Sequence, residues 1–76
     1  MNVEPSMTSE PARAKVASAL RQAGFDVRGG AQRMAFPFAL RVAAVPEDRE
    51  PEVWSIVRGI DPEAIEVTPA TSWTHD

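Results

Sequence analysis

The stretch from Val53 to Val67, VWSIVRGIDPEAIEV, leaves the chain the fewest options. Val53, Ile56, Val57 and Ile60 fall at i, i+3, i+4 and i+7 with Trp54 beside them, so a helix here carries one apolar stripe that must find a sheet. Glu52, Ser55 and Arg58 take the wet side. Gly59 is expected to close the helix in the left-handed conformation, with Ile60 supplying the hydrophobic contact of a Schellman-type end. The run Asp61-Pro62-Glu63-Ala64 then predicts a tight turn, because the Asp61 carboxylate accepts backbone N–H groups while Pro62 fixes φ. Ile65 and Val67 alternate with Glu66, the period-2 pattern of a half-buried strand, and Pro69 ends it. A helix is thus turned straight back into a sheet.

At 76 residues the chain makes one domain, and a domain of this size buries only about 60% of its unfolded surface. It has no cysteine to staple that thin core, so association into a homo-oligomer is the expected further source of stability. No run approaches the roughly 20 apolar residues of a membrane span, and Met1–Thr8 lacks the basic-then-apolar start of a secretion signal. The expected location is cytoplasmic, with no membrane span.

The net charge of −3 is unevenly spread. Residues 1–45 hold six basic side chains against three acids, whereas residues 46–76 hold two against eight. That polarity either steers one protomer's basic half onto another's acidic half or describes two ordinary solvated faces.

The sequence predicts a flexible lead over 1–9, one α+β domain over 10–69 and a tail over 70–76. Ser9 is an N-cap candidate, Glu10 suits the positive helix start, and Pro11 is tolerated in the first turn. The helix then runs to about Ala23 on a stripe of Ala12, Val16, Ala19, Leu20 and Ala23. Gly24 is the stop, with Phe25 placed to fold back on Leu20. Phe25 and Val27 alternate with Asp26 and Arg28 as a short strand ended by Gly29-Gly30. Phe36, Phe38, Leu40, Val42 and Ala44 form one face of the longest strand, and Ala39, Arg41, Ala43 and Val45 the other, so it reads as nearly buried on both sides. Regular pairing should start after Pro37. Glu47–Glu52 is an acidic connector with Asp48 as a cap candidate.

The resulting order places the two helices on one face of one small sheet, as an α+β, ferredoxin-like α-β-β-α-β arrangement. Its first strand is missing, or is supplied by the N-terminal lead or by a partner. The crossover through the second helix should leave its two strands parallel.

The run VWSIVRGIDPEAIEVTPATSW, Val53 to Trp73, resembles the close of the small soluble domain that ends YitT-type bacterial membrane proteins. There too a helix runs into Ile-Asp-Pro, an alanine-apolar pair and a short strand. Upstream, LRQAGFDV is similar to that family's helix, glycine and strand, and FALRVAAV sits where its long strand would. The resemblance covers Ala12 to Trp73. It implies a PII-like, ferredoxin-like module that oligomerises and senses a small molecule.

Catalysis is poorly supplied, and no catalytic residue is assigned. His75 is the sole histidine, next to the last residue, so a nucleophile has no base held in a rigid frame. Asp61 is accounted for by the turn, and Glu63 and Glu66 by exposure. The acids Glu47, Asp48, Glu50 and Glu52 lack the spacing and glycine of a calcium loop, so no metal site and no cofactor is expected. The best ligand candidates are Arg28, Gly29, Gly30, Gln32 and Arg33, joined by Arg41. Paired glycines let backbone N–H groups approach an anion, and arginines clamp phosphate or carboxylate in bidentate fashion; the same residues also fit a plain hairpin loop. Nucleic acid is not expected, because no aromatics interleave with the arginines for base stacking. The sequence therefore points to a non-enzymatic regulatory module binding an anionic small molecule near Gly29-Gly30. The alternative is a protein-interaction module using a sheet edge, the connector acids Glu47, Asp48 and Glu50, or Trp73, whose indole either docks on the protein or lies exposed.

Overall fold

The computed structural model describes residues 1–29 and 36–67. The element order is β1 (Pro5–Ser6), α1 (Glu10–Gln22), β2 (Asp26–Gly29), β3 (Leu40–Ala43), a 3-10 turn (Glu47–Arg49), α2 (Glu50–Ile60) and β4 (Ile65–Glu66). Two antiparallel ladders, β1 with β4 and β2 with β3, meet where Val3 pairs with Val42 and Ser6 with Ala39. Across that seam the strands run β4, β1, β3, β2. The fold is α+β and ferredoxin-like. Because β3 and β4 are both antiparallel to β1, they are parallel to each other, as the crossover predicts.

The expected flexible lead is corrected: residues 3–7 lie in the middle of the sheet. Val3 and Val42 exchange both backbone hydrogen bonds at 2.9 and 2.8 Å, Val67 N–H donates to the Glu4 carbonyl, and Met7 N–H to that of Phe38. Val3, Pro5 and Met7 point into the core and are buried, while the side chain of Glu4 lies on the opposite face. Pro5 has no N–H to give toward β3, which explains why the β1–β3 pairing is broken into two separate bridges.

The core lies between the sheet and the two helices. Val3, Met7, Val27, Leu40 and Val42 meet Val16, Ala17 and Leu20 of α1 and Val53 and Val57 of α2. Helix α1 starts as the sequence predicts, with the Ser9 hydroxyl accepting from Ala12 N–H at 3.3 Å. It ends at a Schellman motif: Gly24 has φ +92°, its N–H donates to the Arg21 carbonyl, and Phe25 N–H donates to that of Leu20.

Helix α2 departs from expectation at both ends. It runs through Gly59 to Ile60, and Gly59 does not take a positive φ. The stop comes two residues later, because the residue before a proline is steered out of the helical region; Asp61 sits at φ −133°, ψ 92°. At the other end no side chain caps the helix, and Asp48 lies inside the 3-10 turn that leads into it.

Two strand readings are also corrected. The ladder of β3 is short, Leu40–Ala43, and one-sided: Leu40 and Val42 are buried while Arg41 is exposed. Ala44 then takes φ +55°, a kink that breaks the alternation and turns Val45 inward, where it is 1% exposed. In β4 the core takes Ala64, while Ile65 is 54% exposed. The register pairs Ile65 with Ser6 and Glu66 with Pro5, and the chain is buried again at Val67, which is 6% exposed. Among the described residues no helix is long and apolar enough to cross a membrane.

Candidate functional site

With both helices on one side, the polar side chains of the strands collect on the other. In the β2–β3 ladder Arg28 lies directly opposite Arg41, on the exposed face. Two like charges across a ladder repel, and each is answered by a carboxylate. Arg28 donates to Asp26 from Nε at 3.4 Å and from a terminal nitrogen at 3.0 Å. Arg41 Nε donates to Glu4 Oε2 at 3.3 Å. The pK of Arg28 is raised above the ordinary arginine value, first by its hydrogen bond to Asp26 and then by the attraction of that charge.

The Arg28–Asp26 pair is solvated, its side chains 67% and 51% exposed, and the Arg41–Glu4 pair is partly covered, at 44% and 25%. Exposed ion pairs hold little net free energy and exchange partners cheaply, so an incoming anion can replace either carboxylate. Gly29 follows Arg28 at the end of β2 and is exposed; among the described residues beyond its chain neighbours, no atom lies within 4 Å of where its Cβ would stand. Gly30, Gln32 and Arg33 lie outside the described residues, as does Trp73. The structure therefore brings together Arg28, Gly29 and Arg41.

The connector acids sit elsewhere. Glu47 and Asp48 are exposed in the 3-10 turn, and Glu50 is half-buried at the start of α2. Glu52, one turn on, is tied to Arg49 at 2.9 Å, and that contact holds its carboxyl below the usual range. Arg49 also stacks on the Phe25 ring at 4.2 Å and reaches the Ala23 carbonyl, so its role is to bind the connector to the end of α1. Arg58 lies over Trp54 at 4.9 Å in the same way.

Three partners were not visible in the residue pattern. Glu4 reaches Arg41 only because residues 3–7 form a strand. Thr8 donates to Asp61 Oδ2 through its backbone N–H at 2.7 Å and its hydroxyl at 2.9 Å. Asp61 is 5% exposed, and its Oδ1 accepts from Glu63 N–H, closing the turn that the sequence predicts. The Thr8 backbone N–H, ahead of the Thr8 hydroxyl and Glu63 N–H, pulls the Asp61 carboxyl below its ordinary range against the opposing effect of burial. The third is Arg21, which donates to the Val27 carbonyl at 3.3 Å. The spacing of Asp26 and Arg28, two apart in a strand, was by contrast a readable signal that they share a face.

Among the described residues there is no enclosed pocket and no group of three side chains placed to hold a metal ion. No protein-family model, curated protein or solved structure matches this chain.

Proposed function

We propose that the chain is a non-enzymatic, ligand-sensing module that works as a homo-oligomer and takes an anionic small molecule on the open face of its sheet. The observation that carries this reading is the register that sets Arg28 opposite Arg41, beside Gly29. Two exposed guanidiniums, one paired with the solvated Asp26 and one with the half-buried Glu4, form a fork suited to phosphate or carboxylate oxygens, and the exposed backbone at Gly29 allows close approach. The resemblance of Val53–Trp73 to the soluble domain of YitT-type proteins points the same way.

The test is thermal stabilisation by a panel of inorganic phosphate, nucleoside phosphates and small dicarboxylates. At least one should raise the melting temperature in a saturable manner, and Arg41→Ala should abolish the rise. If no anion stabilises the protein, or the stabilisation survives in Arg41→Ala, the reading fails.

A further inference from the structure

The outer edge of β2 keeps backbone groups that no strand among the described residues meets. Val42 gives both its N–H and its C=O to Val3 of β1. By the alternation of an antiparallel ladder, Val27, which lies opposite Val42, must then direct both its backbone groups away from β3. An independent contact agrees, since the Val27 carbonyl is held from the outer side by the Arg21 guanidinium at 3.3 Å. A side-chain donor thus stands where a further strand would place a backbone donor. Among the described residues no strand pairs with this edge.

We propose that this edge receives β2 of a second copy of the chain, antiparallel, about a two-fold axis at Val27. In that register Val27 faces Val27 of the second copy and the two exchange both hydrogen bonds, in place of Arg21. Asp26 then lies opposite the second copy's Arg28, and Arg28 opposite its Asp26, giving two directly opposed ion pairs on the open face. Gly29 faces the second copy's Phe25. The Gly29 N–H can donate to the Phe25 carbonyl, whereas the Phe25 N–H is already given to Leu20. The ladder therefore has four backbone hydrogen bonds.

The charges select this register over its neighbours. A slip by one residue on each side of the axis sets Arg28 against Arg28 or Asp26 against Asp26, both repulsive. Edge strands commonly carry charges that discourage pairing; here the order Asp-Val-Arg is complementary to itself when reversed. The interface is isologous and closes as a dimer, joining the two sheets into one.

The experiment is sedimentation of the full chain without added ligand, so its outcome is independent of the proposed anion site. The wild type should sediment at twice 8.3 kDa, and Asp26→Arg and Arg28→Asp should each give the monomer mass. Combining the two substitutions reverses both charges, restores opposite signs across the axis and should restore the dimer. Far-UV circular dichroism checks that each variant is folded, which is expected because both side chains are more than half exposed. A monomeric wild type, single variants that remain dimers, or a folded double variant that stays monomeric would each overturn the proposal.

Discussion

Replacing Val3 by alanine tests whether the first residues are a structural strand. The side chain is 1% exposed and packs in the core. Removing two methyl groups forfeits roughly 1.6 kcal/mol of transfer free energy at about 0.8 kcal/mol per carbon. The residual cavity raises the cost to about 2–3 kcal/mol. A chain of this length has a total stability of roughly 4–11 kcal/mol, so the loss is a large share of it. Urea unfolding followed by far-UV circular dichroism is the assay. With a slope of about 1 kcal/mol per molar, the midpoint should fall by about 2–3 M at unchanged slope. The control is Ile65→Ala on the strand paired with β1, where the side chain is 54% exposed and the cost should stay within about 0.5 kcal/mol. Were Val3 part of a loose lead, the two variants would behave alike, and a Val3→Ala cost below about 0.5 kcal/mol would refute the placement of β1.

Other consequences are equally measurable. Gly24→Ala forces a side chain into the left-handed region at φ +92° and should cost about 1–2 kcal/mol, whereas Gly59→Ala inside α2, where the added Cβ meets nothing within 4 Å, should stabilise by about 0.5–1 kcal/mol; thermal melts that moved in the same direction would contradict this. Ser9→Ala removes the α1 cap and should lower stability by about 0.5–2 kcal/mol in denaturant titration. Because Asp61 has a lowered pK in the folded state, its contribution is complete above the unfolded aspartate value near pH 3.9 and is lost as the pH falls from there through the folded value. Melting temperature against pH should therefore show an acid-side decline that is shallower in Asp61→Asn; equal slopes in the two proteins would exclude a stabilising role for the carboxylate.

How much of this was legible depends on where each residue finds its partner. The α1 stop at Gly24-Phe25, the Ser9 cap and the Asp61–Ala64 turn are local hydrogen-bond problems, and their solutions are written within a few residues of sequence. The end of α2 was misread because two local signals compete there. A glycine offers a left-handed exit, but taking it is optional, whereas the steric demand of Pro62 on Asp61 is not. In the candidate site Arg28 and Asp26 could be grouped from their spacing. The opposition of Arg28 to Arg41 needed the register of a hairpin whose connection is long, and register is not set by either strand alone.

The strand hidden in Met1–Thr8 shows the limit most clearly. A proline and a serine at its centre, with a glutamate beside them, are the residues that pattern reading assigns to a lead. They are tolerated in mid-sheet because the burdens fall on different faces and different neighbours. Pro5 is buried toward the helices and lacks only the N–H that would point to β3, while the Glu4 side chain lies on the opposite face and Ser6, small enough to be covered, is 6% exposed. Glu4 carries the strand's link on both sides, through its carbonyl to Val67 N–H and its carboxylate to Arg41. The same Arg41 is half of the proposed anion fork. Under that proposal an anion that displaces the Glu4 carboxylate relaxes a tie to the central strand, which would couple binding at the open face to β1 through one side chain. Glu4→Gln should strengthen anion binding measured by titration calorimetry, since it removes the competing charge; unchanged affinity would show that Arg41 does not take part in both contacts.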